Sequence, residues 1–534
     1  MAGDDNASYS ALIVPKWIKF DKDHNDKQAK KTMIALDFGT SNTHIAYYNP
    51  DNGVQPFSVP SNEMQMVLLN KPCEVDAGKD YRNKTSFGRI GAMTDLLREF
   101  VPSVIGKENI QGIEYPVKTA SLNSPKLYDK DLAVPFETVN IGYDINNETV
   151  EVDANFEYAT DLKWAAQEAR AAGEGGVGGV ESKRIDAYCE QTLWMLKNMI
   201  VNKGYYAGDI KMVYFYPASM EDLDKNMFAD AWSKAKDTVF DSCGFKVDLQ
   251  EPELESVAPY YSLLNKVDDT GLFAYNSVNI DIGGGTTDVF ILDKESRDPD
   301  TGNAITCGYE ASVQFAGDNI WGTTKPIGNV RNGFVAYMDG LITSNKINLS
   351  EELKKKYDAV KKRAGKSNGK KGENGDKDIA AFFFKYPAAF QFANRISNNP
   401  HLKKVLLIHY ASIIYYVTDI IKHIKKDKPE FVMPQTLTFT GKGSEYIKII
   451  SSGPKRIQKL TFLLFNAFGI PNSEFKHGFK VAYPENPKVL TAEGGIHKYM
   501  NPAIGIEFVE KESTYIPNQD DGMNRENAFF EQVG

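Results

Sequence analysis

Two short segments carry residue types suited to binding phosphate and a hard cation. Residues 35–46 read ALDFGTSNTHIA and residues 279–290 read NIDIGGGTTDVF. Aligned, Asp37 matches Asp281, Gly39 matches Gly283 and Thr43 matches Thr287. Each segment is an apolar strand ending in an aspartate, then a turn of small residues, then a second β-branched strand. Glycine lets the backbone come close to a ligand, and successive N–H groups in such a turn form a concave anion site. Threonine and serine hydroxyls add short donors. The aspartate supplies a hard oxygen for Mg²⁺, an ion that keeps several waters and takes few protein ligands. Two such hairpins facing each other would grip a polyphosphate and its metal from both sides. An ordinary hairpin turn does not require three successive glycines followed by Thr-Thr-Asp.

The echo predicts two units built on one plan, each opening with a hairpin. The elements that must position the hairpins follow from pattern. KMVYFYPA (211–218) reads as a buried strand, and residues 157–172, 182–203, 220–240 and 351–364 read as helices. AITCGYEASVQFAG is expected to be a third strand after the second hairpin, and TLTFTGKGS a strand ending in a glycine turn. Val405–Lys426 is apolar but carries His409, Thr418, Asp419 and His423, so a buried helix with a polar stripe is expected, not a membrane span. KSNGKKGENGDKD (366–378) reads as a charged loop.

The 534 residues hold 42% hydrophobic and 25% charged side chains, as a globular chain does. Sixty-two basic against 71 acidic residues give a formal charge of −9, which argues against bulk nucleic-acid binding. The cysteines, Cys73, Cys189, Cys243 and Cys307, have no CxxC spacing, so a reducing, cytoplasmic setting is expected. MAGDDNASYS lacks the pattern of a secretory signal. Three motifs mislead. GEGGVG (173–178) follows a helix pattern where a dinucleotide fingerprint needs a strand. Gly365-Lys-Ser lacks the first glycine of a P-loop, and no histidine pair has HExxH spacing.

Taken together, the motifs resemble those of the actin-like ATPase superfamily, which includes actins, heat-shock-70 chaperones and sugar kinases. LDFGTSNT resembles the phosphate-1 loop, IDIGGGTTDV the phosphate-2 loop and LTFTGKGSEYI the adenosine loop. LESVAPYYSLL and NPKVLTAEGGIHKY resemble the two connecting helices, and QFAGDNIWG resembles the stretch after phosphate-2 in the heat-shock-70 branch. The GGGTTD form is closest to the bacterial-actin and heat-shock-70 branches.

The resemblance implies an α/β fold of two lobes, duplicated ribonuclease-H-like domains, with a nucleotide cleft between them. The expected division is an extension (1–30), lobe I (31–256), lobe II (257–505) and a tail (506–534). The implied cofactors are ATP and Mg²⁺. Asp37 and Asp281 would hold the metal through water, with Asp288 supporting its water shell. Gly39, Thr40, Ser41, Asn42 and Gly283, Gly284, Gly285, Thr286 would supply phosphate donors. Glu255 would orient the attacking water, alone or with Asp281. Lys118 stands about where heat-shock-70 proteins place a catalytic lysine. Gly317 and Asp318, with Gly441, Lys442, Gly443 and Ser444, would complete the nucleotide site. Lys442 departs from the two adjacent glycines usual in the adenosine loop, which puts adenine choice in question. Lys361, Lys362 and Arg363 are candidates for stacking on the base. The expected function is a slow ATPase acting as a conformational switch or filament former, with the nucleotide and either itself or a protein partner as its partners. A small-molecule kinase of the same superfamily and a scaffold without turnover are the alternatives. No peptide-holding domain of the heat-shock-70 kind is expected after residue 500.

Overall fold

The computed structural model describes residues 32–59, 113–123, 139–141, 157–164, 180–202, 210–241, 245–264, 277–293, 296–297, 304–305, 308–322, 331–364, 376–475, 479–484 and 486–500. The expected N-terminal extension, the run 173–178, most of the loop 366–378 and the C-terminal tail lie outside them.

Two sheets organise the chain. In the first, β1 (Thr32–Phe38) pairs antiparallel with β2 (Asn42–Asn49), which pairs antiparallel with β3 (Gly53–Pro56). The short β4 (Val117–Lys118) also adds to β2. On its other side β1 pairs parallel with β5 (Ile210–Tyr216), and β5 with β6 (Val247–Leu249) and β7 (Glu253–Leu254). In the second sheet, β8 (Ser277–Ile282) pairs antiparallel with β9 (Thr287–Leu292), and β9 antiparallel with β10 (Gly308–Val313). Beyond β8, β11 (Thr436–Thr440) and β12 (Lys480–Ala482) run parallel. Each sheet thus has the order third, second, first, fourth, fifth, with the same polarity at each step. The duplication read from the two hairpins is a duplication of the sheet.

β1 and β8 are buried at every residue, which suits strands covered on both faces by helices. On one face of the first sheet, Ile34, Leu36 and Phe38 meet α1 (Val180–Asn202) and α2 (Asp222–Val239). Phe38 packs edge-on to Tyr188 and Trp232, and burying each such ring stabilises the fold by about 2–3 kcal/mol. On the other face, Met33, Ala35, Ala46, Val213 and Phe215 meet Ala258 of α3 (Ala258–Leu264) and Ala492 and Ile496 of the late helix Leu490–Met500. Tyr260 and Tyr261 of α3 also pack on Phe290 and Leu292 of the second sheet. The chain therefore crosses between the sheets at α3, and its last described helix lies against the first sheet.

The second sheet is covered by α4 (Gly317–Trp321), α5 (Glu351–Ala364), α6 (Asp376–Lys385) and α7 (Pro400–Asp427). Asn399 caps α7 by accepting from the N–H groups of His401 and Leu402 at 3.1 and 3.2 Å, and Pro400 presets its first turn. By length and composition α7 can cross a membrane, but 56% of its most apolar window is buried. Leu406, Tyr410, Ile413, Ile414, Val417 and Ile421 join the core of the second unit. The late helix Leu490–Met500 is α8 below.

Three local expectations change. The helix expected from residue 157 begins instead as the strand Glu157–Thr160, paired with Ala120–Asn123, followed by a turn at 161–164. The expected loop 366–378 ends inside the first turn of α6. The third strand of the second sheet is shorter than expected: Ala304–Ile305 pairs separately with Ser296–Arg297, and only Gly308–Val313 joins the sheet.

Candidate functional site

A cavity of about 780 Å³ lies between the two hairpin turns. It is lined by Asp37, Gly39, Thr40, Ser41 and Asn42 from one side and Asp281, Gly283, Gly284 and Thr286 from the other. Glu255, Lys118, Gly317, Asp318, Gly441, Lys442 and Gly443 complete the predicted residues that reach it. Gly285, Asp288 and Ser444 are not among its lining residues.

The turns are braced from outside. Thr119 donates its hydroxyl to the Gly39 carbonyl at 2.7 Å and its N–H to the Ser41 carbonyl at 3.1 Å. Trp164 Nε1 donates to Thr40 Oγ1 at 3.0 Å. In the second turn, the N–H groups of Gly317 and Asp318 donate to the carbonyls of Gly283 and Gly284 at 3.1 and 2.8 Å, which ties α4 to the turn. The two turns stand against each other: Ser41 leaves no room for a methyl group at Gly284, and Thr40 crowds Gly285. Gly441 ends β11 with φ of 74°, where a side chain would be strained and would also overlap Asp281 Oδ1.

Asp37, Glu255 and Asp281, which face the cavity, each have a donor. Lys488 Nζ lies 2.6 Å from Asp37 Oδ2. Lys163, its side chain only 1% exposed, pairs with Glu255. Thr440 donates to Asp281 Oδ2 at 3.0 Å. Burial pushes the Asp281 carboxyl up to about 7, assisted by Glu255 and Asp37 and opposed by Lys488 and Thr440. Asp288, opposite Asp281 in the strand pair, is pushed well up by burial and by Glu255. For Lys488, burial favours the neutral amine, but Asp37, Glu255 and Asp281 outweigh it and raise the ammonium.

A second set of charges joins α6 to the first unit. Lys377 lies 2.5 and 2.7 Å from the two oxygens of Asp161 and 3.4 Å from Asp318. Lys118 pairs with Asp378, and burial lowers its amine against that pairing. Burial also raises the Asp318 carboxyl, with Lys377 opposing. The lining also includes the apolar and aromatic Trp321, Val360, Phe382, Phe384 and Tyr446, and the cations Lys385 and Lys442. Lys361 instead pairs with Asp339 and, like Lys362, is not among the lining residues; the Arg363 side chain lies outside the description.

Sequence reasoning missed Lys488, Lys163, Lys377, Asp161 and Asp378. Lys488 stands in NPKVL, a motif noticed only for the helix that follows it. Lys163 and Asp161 stand in a stretch expected to be helical, and Lys377 and Asp378 in one expected to be loop.

The donor set does not fit a hydrated Mg²⁺ held through Asp37, because the Lys488 ammonium already occupies that carboxylate. Among the described residues, no group of three or more His, Cys, Asp or Glu side chains is arranged to hold a metal ion.

No protein-family model and no curated protein sequence matches the chain. Among solved structures it is similar to actin-like proteins. One is MreB5 of Spiroplasma citri bound to ADP, at 12% identity and a TM-score of 0.35, over 88% of this chain and 98% of that one. The same protein bound to AMPPNP matches at 12% identity and a TM-score of 0.33, over 89% and 97%. A MamK double helical filament matches at 12% identity and a TM-score of 0.39, over 88% and 99%.

Proposed function

We propose that the chain is an actin-like ATPase that binds ATP between its two sheet units, hydrolyses it slowly and uses the cycle as a conformational switch or to govern filament assembly. The observation that carries this reading is the convergence of two duplicated hairpin turns on one cavity whose lining also holds aromatic side chains. The turns and their hydroxyls suit phosphates, and Trp321, Phe382 and Phe384 suit a base. Thr40, Ser41 and Asn42, with the second turn, hold the phosphates. Lys118 and Lys377 exchange carboxylate partners for phosphate oxygens. Glu255, oriented by Lys163, accepts a hydrogen bond from the attacking water. Catalysis of this kind is mainly positioning and charge neutralisation.

The test is phosphate release by wild type beside Glu255→Ala, with ATP affinity measured in parallel. Loss of the water-orienting carboxylate should lower turnover by about 10²-fold while affinity changes little. A wild type that neither binds nor hydrolyses ATP, or a variant as fast as wild type, would sink the assignment. Pelleting and electron microscopy with ATP, ADP and no nucleotide separate the two uses of the cycle: filaments seen with ATP alone would favour assembly.

A further inference from the structure

We propose that Lys488 is a tethered cation seated where a divalent metal would neutralise Asp37, so that the cavity accepts a triphosphate without a metal ion. The inference rests on the nucleotide reading above and names the ionic requirement of that same site.

Three observations carry it. First, the ammonium is on the carboxylate itself, 2.6 Å from Asp37 Oδ2, and both residues line the cavity. Second, its position is over the first turn: a methyl built on Gly39 would lie 2.7 Å from Nζ. A cation there also attracts a phosphate cradled by that turn. Third, Glu255 and the acids of the second hairpin offer a metal little. Glu255 is held by Lys163, Asp281 accepts from Thr440, and Asp288 is not among the lining residues. The acids Asp37, Glu255 and Asp281 thus already share two ammonium groups, Lys488 and Lys163. A dication entering at Asp37 meets the Lys488 ammonium already seated on Oδ2 of that carboxylate, and like charge opposes its approach.

The lysine is also held in place. Val489 N–H donates to the Asn486 carbonyl at 3.3 Å, and α8 begins two residues after Lys488, with Ala492 and Ile496 packed into the first sheet. A cation delivered by a rigid segment loses little freedom on pairing, unlike an exposed flexible lysine.

The experiment uses the full chain as wild type, Lys488→Met and Lys488→Arg. A fluorescent ATP analogue is titrated in EDTA and in Mg²⁺, and Mn²⁺ uptake without nucleotide is followed by electron paramagnetic resonance. Wild type and Lys488→Arg should bind the analogue within about threefold in the two buffers and take up no Mn²⁺. Lys488→Met should bind at least about tenfold more weakly in EDTA than in Mg²⁺, and should take up Mn²⁺. A wild type that loses tenfold or more in EDTA, or that takes up Mn²⁺ on its own, overturns the proposal. If wild type binds the analogue in neither buffer, the nucleotide reading fails, and Mn²⁺ uptake confined to Lys488→Met still upholds the seat. Should Lys488→Met not fold, the two wild-type arms decide alone.

Discussion

The two hairpins share a backbone path and differ in charge. At the first, Asp37 is paired to the Lys488 ammonium, and the residue opposite it in the strand pair is His44. His44 is 1% exposed, and among the described residues neither ring nitrogen has a hydrogen-bond partner. Burial lowers it to about 4, so the imidazole is neutral and Asp37 depends on Lys488. At the second, Asp281 has a hydroxyl for a partner and faces another acid, Asp288, across the strands. Its carboxyl is pushed up to about 7. Duplication has kept the strand, the acid and the glycine turn, while the charge on the acid is set by distant residues. One turn holds a neutralised anion and the other an acid that is half protonated at neutral pH.

That contrast breaks most sharply at Asp281. Its folded pKa stands above the ordinary 3.8, so between pH 4 and 7 the folded chain holds a proton that the unfolded chain has lost. Stability from this group is complete below pH 4 and is lost as pH rises through 7. Three units correspond to about 4 kcal/mol. Asp281→Asn keeps an acceptor for Thr440 and has no charge to bury. In metal-free buffer its urea midpoint should match wild type near pH 4 and exceed it at pH 8, by a margin equivalent to about 4 kcal/mol at most. A difference that stays constant across the range would show that the Asp281 charge is not the cause.

The same substitution at the first hairpin should have the opposite sign. Asp37→Asn leaves the Lys488 ammonium without its paired carboxylate. Breaking a buried pair from one side costs about 3–5 kcal/mol, and the low end applies because Glu255 and Asp281 are close enough to help. We expect a loss of about 3 kcal/mol at pH 7, with much of it restored in Asp37→Asn combined with Lys488→Met. Thermal and urea unfolding of the single and double variants measure this directly. If the single variant is as stable as wild type, the Asp37–Lys488 pair is not what distinguishes the first hairpin from the second.

Both turns were legible in the sequence because a strand, an aspartate and a glycine turn are local patterns. β1 and β8 announced themselves as short apolar runs, and the echo between them predicted the repeated sheet. The cations were not legible, because Lys488 meets Asp37 across 451 positions and Lys377 meets Asp161 across 216. No local spacing records such a pairing. Two errors hid them further. EYAT has helical surroundings in sequence but is drawn into a strand by Ala120–Asn123, a tertiary preference that overrides propensity. GDKD looks like solvated loop, yet Asp376 is buried and accepts the Asn332 N–H at 2.7 Å, so the charged run opens a helix and Lys377 points inward.

The finest difference lies in the turn glycines, Gly39 and Gly283, which align in sequence. A methyl at Gly39 would come within 2.5 Å of the Asn42 carbonyl oxygen and 2.7 Å of Lys488 Nζ. Both are fixed, the first by the strand pairing of β2 and the second by its pair with Asp37. Among the described residues, a methyl at Gly283 would meet the Thr286 carbonyl oxygen alone, at 3.2 Å, the same oxygen that accepts from Gly283 N–H at 2.9 Å. A few tenths of an ångström of relaxation suffices there. Gly39→Ala should therefore cost about 2 kcal/mol and Gly283→Ala about 0.5 kcal/mol, read as shifts in urea midpoint. The cost at Gly39 should also fall when Lys488 is replaced by methionine, because part of the clash is with the ammonium. If Gly283→Ala proves the more damaging, the second turn is the rigid one, and the charge difference between the hairpins does not extend to their stiffness.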